Sequence, residues 1–201
     1  MDSRNGWAEE PRWPGAGFLD LPCMAVPLQY DAASRRGKFY NEGAWSRPSV
    51  LEGDAVARRT FFSFHYERDV WRSAVVRKSA ALKTDIAPEF IDASLWEESK
   101  LKGDDALRQL INDALYGTTV TAVLIGAETH QRRWVKYEIA QSVARGNGLL
   151  GIYIHNIRDQ FGNRDTKGTN PLPPQYATYD WINDDGYNNL SKWVEAAYDE
   201  R

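Results

Sequence analysis

Trp134 and Glu138 stand four residues apart in the segment RWVKYEI, so a helix there sets a large π surface and a carboxylate on one face. A carboxylate at an aromatic-lined mouth suits glycosidic chemistry, in which positive charge develops on a sugar carbon as the leaving group departs. When the leaving group is a nicotinamide, already cationic, cleavage neutralises the ring and needs little acid assistance. The demand then falls on the sugar. A carboxylate that grips the ribose hydroxyls and faces the oxocarbenium charge stabilises the transition state more than the ground state. Phe64, Tyr66 and Trp96 are the side chains that could hold a nicotinamide or adenine ring by stacking. His65 is a further polar candidate, and Asp69 and Thr129 are each candidates for substrate contact or for a helix cap. Arg132 and Arg133 could attract a pyrophosphate or form a solvated basic face, and His155 and Asn156 are candidates for the adenosine half. The plainer alternatives are a surface glutamate at 138 and a packing indole at 134.

These residues must be positioned by regular elements, and the pattern from Arg58 onward supplies them. RTFFSF is a short, β-prone apolar run that predicts a first strand. The polar break HYERD precedes Val70, Trp71, Ala74, Val75 and Lys78, whose spacing predicts a helix buried on that face. A weaker strand is expected around PEFIDASL, then a polar loop WEESKLKG, then a helix with Asp104 as N-cap and Leu107, Leu110, Ile111, Ala114 and Leu115 on its inner face. VTAVLIG, residues 120–126, is apolar almost throughout, as in a parallel strand covered on both faces. AETHQRR then leads into a helix whose inner face is Val135, Ile139 and Val143, stopped by Gly146 and Gly148. LLGIYIH predicts a fourth strand and YDWI a short fifth, with KGTNPLPP in the long loop between. Leu190, Trp193, Val194, Ala197 and Tyr198 mark a final helix. This alternation predicts an α/β doubly wound, flavodoxin-like parallel sheet of about five strands over residues 58–201. With strand order 2-1-3-4-5, the switch point falls between strands 1 and 3, and it nominates the loops 64–69 and 126–134.

Residues 1–57 have a different texture, with five of the nine prolines and six of the fifteen glycines, yet they carry Trp7, Trp13, Phe18, Phe39, Tyr40 and Trp45. Such an aromatic- and Pro/Gly-rich extension is expected to pack on its own domain or on a partner, since these rings are costly to leave in water. The chain of 201 residues has 42% hydrophobic residues and a net charge of -3, which fits a globular domain and gives no field for counterion-driven nucleic-acid binding. One cysteine and three scattered histidines offer no metal-ligand spacing and fit a reducing, cytoplasmic setting. No run approaches a membrane span, so no membrane partner is expected. Phosphate-binding glycine motifs are absent after the first strand, no acidic residue ends strand 3 to take a phosphoryl group, and no Ser-His-Asp order stands out.

Four segments, RTFFSFHYERD, SLWEESKLKGDDALRQLINDAL, VTAVLIGAETHQRRWVKYEIAQS and KGTNPL, together resemble the TIR-like family that contains the Thoeris ThsB proteins, over roughly residues 58–175. VLIGAET with RWVKYEI is the most specific part, since Trp134 to Glu138 forms the Trp-x-x-x-Glu pattern of bacterial TIR domains. The resemblance implies a TIR-type domain that consumes NAD+ as substrate, with no cofactor, and makes a cyclic ADP-ribose isomer as an alarm signal during phage infection. It implies that Glu138 is the catalytic glutamate and that residues 96–103 form the mobile loop after the second strand. It further implies self-association on activation and a separate effector protein that responds to the diffusible product. Two rivals stand beside it: a TIR-like scaffold in which Glu138 is structural, and a nucleoside deoxyribosyltransferase with a glutamate nucleophile.

Overall fold

The computed structural model describes residues 57–201. The extension expected at residues 1–57 therefore lies, save for Ala57, outside the described residues. Five parallel strands, β1 (Arg58–Ser63), β2 (Ile86–Glu89), β3 (Val120–Ile125), β4 (Gly148–Tyr153) and β5 (Thr178–Asp180), form one sheet in the order β2-β1-β3-β4-β5. This is the expected doubly wound order. Five helices connect and cover the strands: α1 (Tyr66–Ala81), α2 (Ala93–Lys102), α3 (Asp104–Leu115), α4 (Arg133–Ala144) and α5 (Gly186–Asp199). Among the described residues, no helix is long and apolar enough to cross a membrane.

Strand alternation divides the core into two faces. Phe62, Ala122, Leu124, Leu150 and Ile152 join Val76 of α1 and Leu190, Trp193 and Val194 of α5 on one face. On the other, Val123 and Ile125 meet Val135 and Ile139 of α4, and Phe61 meets Ile111 and Leu115 of α3. All six residues of β3 are buried, which is why its sequence is apolar without alternation.

The structure corrects five expectations. The buried side of α1 is Asp69, Arg72, Ser73, Val76, Ser79 and Ala80, whereas Val70, Trp71 and Val75 face outward. The helix is turned by its polar residues: Arg72 donates from Nε to the Ile157 carbonyl at 3.0 Å and pairs with Asp159, which fixes that side against the loop after β4. The supposed polar loop at 96–103 is instead most of α2. Asp92 caps it by accepting from the Ser94 amide at 2.9 Å, and Gly103, with φ of 100°, ends it in a conformation that favours glycine. Asp104 consequently opens α3 with no capping role. Lastly, Val143 is exposed, and Gly148 begins β4 rather than stopping α4.

Gly148 is fixed by close approach. A Cβ there would lie 1.9 Å from the carbonyl oxygen of Ala197, in the backbone of α5. Gly148→Ala is expected to destabilise the domain by about 1–3 kcal/mol, read as a lower urea midpoint. An unchanged midpoint would contradict this seating of α5 on β4.

Candidate active site

At the carboxyl end of β1, beside β3, a cavity of about 520 Å³ opens between the first loop, α2 and the start of α4. Its size is that of a small-molecule site. Phe64, His65, Tyr66, Trp96, Trp134 and Glu138 all line it, so these six candidates from the sequence come together. Arg132 and Arg133 are on the wall as well.

Glu138 is only 5% exposed, and its Oε2 accepts a short hydrogen bond from the Ser63 hydroxyl at the last position of β1. Burial pushes its carboxyl up to about 8, with the Ser63 bond acting in the opposite direction. At neutral pH the free protein therefore holds it mostly protonated. Its backbone is pinned as firmly as its side chain. Ser142 Oγ donates to the Glu138 carbonyl at 2.8 Å and stands 2.8 Å from Thr121 Oγ1. Because the Ser142 proton is already committed, Thr121 must donate to Ser142, and Thr121 in turn accepts from Asn147 Nδ2 at 3.2 Å. This chain of donors ties α4 to β3 under the carboxyl group. Ser63 was not singled out from the sequence; the only signal was one small polar residue inside the apolar run RTFFSF.

The aromatic wall is built from three helices and a loop. Trp134 packs edge-to-face on Trp96 at 6.4 Å and on Tyr137 at 5.9 Å, so it both fixes α4 and faces the cavity. The Arg133 guanidinium lies over its ring at 4.5 Å and bonds to Asp104. Phe64 and Tyr66 are tilted against each other at 6.0 Å. His65 precedes α1 but makes no side-chain cap, and neither ring nitrogen has a partner among the described residues.

Asp69 and Thr129 do not reach this cavity. Thr129 is buried and closes the turn after β3, its Oγ1 accepting from the Gly126 amide at 2.9 Å. Asp69 is fully buried beneath Gly126: a Cβ on that glycine would lie 2.1 Å from Asp69 Oδ2. It caps nothing. Burial raises its carboxyl to about 6, opposed by Arg72, whose Nη1 stands 4.0 Å away. Above the same loop Gly168 approaches so closely that its Cβ would meet the Gly126 carbonyl oxygen at 1.9 Å, which places the KGTNPL segment as a clamp on the end of β3. Arg68 completes the clamp, bonding Glu128 at 2.9 Å and Asp165 at 3.0 Å. The two candidates from strand 4 also lie elsewhere: Asn156 donates to Asp180 at 3.0 Å, with His155 beside the same carboxylate.

Burial of Glu138 has a consequence for stability. Its carboxyl titrates near 4.5 when unfolded and near 8 when folded, so between those values the native state holds a proton that the unfolded chain releases. Native stability from this group is full below about pH 4.5 and is lost as pH rises through about 8. Glu138→Gln removes the effect, and its melting temperature should rise relative to wild type by about 5 °C or more between pH 5 and pH 9. Scanning calorimetry that found a constant difference across that range would show an ordinary carboxyl.

Comparison with known proteins agrees with this architecture. Residues 61–159 match the family model described as "Thoeris protein ThsB, TIR-like domain". The chain is also 36% identical to the "Putative cyclic ADP-D-ribose synthase ThsB1" of Bacillus cereus (strain MSX-D12), in a match that covers 69% of this chain and 100% of that protein. The chain belongs to the Thoeris ThsB family, and its five-stranded parallel sheet with helices on both faces is that family's TIR-like domain.

Proposed function

We propose that this cavity cleaves the nicotinamide–ribose bond of NAD+ and yields a cyclic ADP-ribose isomer. The observation that carries the reading is the Glu138 carboxyl, buried and bonded to Ser63, within an aromatic-walled cavity at the sheet's switch point. The printed name of the Bacillus cereus relative, a cyclic ADP-D-ribose synthase, supports the same class of reaction.

The chemistry follows from the environment of the carboxyl. A cationic nicotinamide riboside beside Glu138 favours its ionised form, so substrate binding displaces the proton that the free protein retains. The carboxylate then faces the ribose in a site shielded from water, where its interaction with positive charge is strong. As the C1–N bond breaks, its electron pair goes to the nicotinamide ring, which leaves neutral, and the charge moves to the sugar beside Glu138. Trp96, Trp134, Phe64 and Tyr66 provide faces for the two rings of the dinucleotide. The guanidinium groups of Arg132 and Arg133 stand on the same wall for the pyrophosphate. NAD+ is thus a substrate, and no cofactor enters the step. The cyclic product acts in the cytoplasm as a diffusible antiphage signal read by a separate effector, and self-association of the domain accompanies activation.

Mass-resolved chromatography of NAD+ incubated with the full chain at several concentrations tests this reading. Wild type should release nicotinamide, with turnover per molecule rising with concentration, and Glu138→Gln should reduce release by about 100-fold or more. Because the active form carries an ionised carboxylate, kcat/KM should rise with pH to a plateau above about 8. No NAD+ turnover by concentrated wild type exposed to a phage lysate would favour the scaffold reading.

A further inference from the structure

Among the described residues, no hydrogen bond fixes the His65 side chain on the cavity wall. It stands at the N-cap of α1 with an extended backbone, where Ser, Thr, Asp or Asn would accept from the helix, yet it makes no such bond. It is 6% exposed, and both ring nitrogens are closed to solvent without a hydrogen-bond partner. A buried imidazole is expensive to leave unpaired, so its position implies a partner that the described residues do not contain. The group beside Nε2 is the Glu67 carboxylate at 3.8 Å, too far for a hydrogen bond. That carboxylate belongs to an exposed ion pair with Lys100 of α2, at 3.1 Å, which binds weakly enough to give way to a substrate.

The charges around the ring decide its form. Burial, then Arg132, lower its affinity for a proton, with Arg68 adding to them, while Glu67 and Glu128 oppose. The imidazole is therefore neutral at pH 7, whereas Glu138 on the same wall is mostly protonated before substrate arrives. Two titratable groups pushed in opposite directions within one cavity divide the acid and base work between them.

Resting on the NAD+ reading above, we propose that His65 is the base that accepts the proton of the adenosine-ribose hydroxyl as that oxygen captures the ribosyl carbon. In this step the O–C1 bond forms after the C1–N bond has broken toward nicotinamide. The hydroxyl proton passes to the imidazole and is released to bulk water once the products leave, so that NAD+ gives cyclic product, nicotinamide and one proton. Without the base, capture passes to water and the product is linear ADP-ribose.

The test compares wild type, His65→Gln and His65→Ala in the full chain, scoring nicotinamide release and the cyclic-to-linear ratio separately. The expected result is a ratio at least tenfold lower in both variants, with a smaller loss of nicotinamide release and a melting temperature no lower than that of wild type. In wild type the cyclic fraction should also fall as pH drops below the ordinary imidazole range, since burial and Arg132 lower the pH at which His65 takes up a proton, and in His65→Gln it should stay flat. An unchanged ratio in the variants, or an identical pH dependence, overturns the role of His65 alone. Wild type that makes only linear product overturns it as well, with the cleavage reading intact. Absence of nicotinamide release from wild type removes both readings together.

Discussion

A carboxyl group held out of water is the constraint on which the rest of this domain depends. Ionised carboxylates resist burial by several kcal/mol, so Glu138 lies inside only as a largely neutral group bonded to Ser63. The bond joins residues 75 positions apart, and it exists because β1 and β3 are sheet neighbours while α4 returns across the ends of both. Donors from Asn147 through Thr121 and Ser142 hold the α4 backbone in register with β3, so the carboxyl cannot turn outward to regain water. The topology thus stores an electrostatic tension that, in the proposed reaction, a cationic substrate relieves.

The loops after β3 and β4 are held by a second set of polar groups, partly buried. Gly126 lies between the Asp69 carboxyl below and Gly168 above, with no room for a side chain on either glycine. Arg68 and Arg72 extend from α1 to Glu128, Asp159 and Asp165, and Arg72 also reaches two backbone carbonyls. Arg72 and Asp69 are the buried members, and breaking either costs far more than the exposed Arg68 pairs contribute, so these two frame the end of β3. Asp69 belongs to that frame, which is why its burial and raised protonation range do not mark it as a substrate contact.

Sheet order and the position of the cavity were legible because they follow from strong, local signals. An unbroken apolar run such as VTAVLI has few homes other than a covered parallel strand, and the alternation of strands with helices limits the topology. The helix faces were less legible. Apolar spacing pointed to Val70, Trp71 and Val75, but the orientation of α1 is set by Arg72 reaching a carbonyl 85 residues away, an interaction that periodicity does not register. WEESKLKG looked like a loop because α2 buries none of its residues; its actual signals were the Asp92 cap and the Gly103 stop at its ends. Within the site, the Trp134–Glu138 spacing was readable, while Ser63 was hidden in an apolar strand and Asp69 and Thr129 differ from true cavity residues only in which way the loop turns them.

The character of α2 bears on how a cyclic product could compete with a linear one. Capture by a tethered hydroxyl has an effective concentration of roughly 10⁵ M or more when aligned, an advantage that lasts only while the reacting carbon is shielded from bulk water. Most walls of the cavity are rigid: β1, the pinned α4 and the framed loop after β3. The wall carrying Trp96 is different, because α2 has no fully buried side chain of its own, and its contacts include Trp96 on Trp134, the Lys100–Glu67 pair and packing against α3. Trp96 meets Trp134 edge-to-face at 6.4 Å, so these two indoles close that side of the cavity. In the proposed reaction the same indole pair serves both as a stacking face and as a barrier to water.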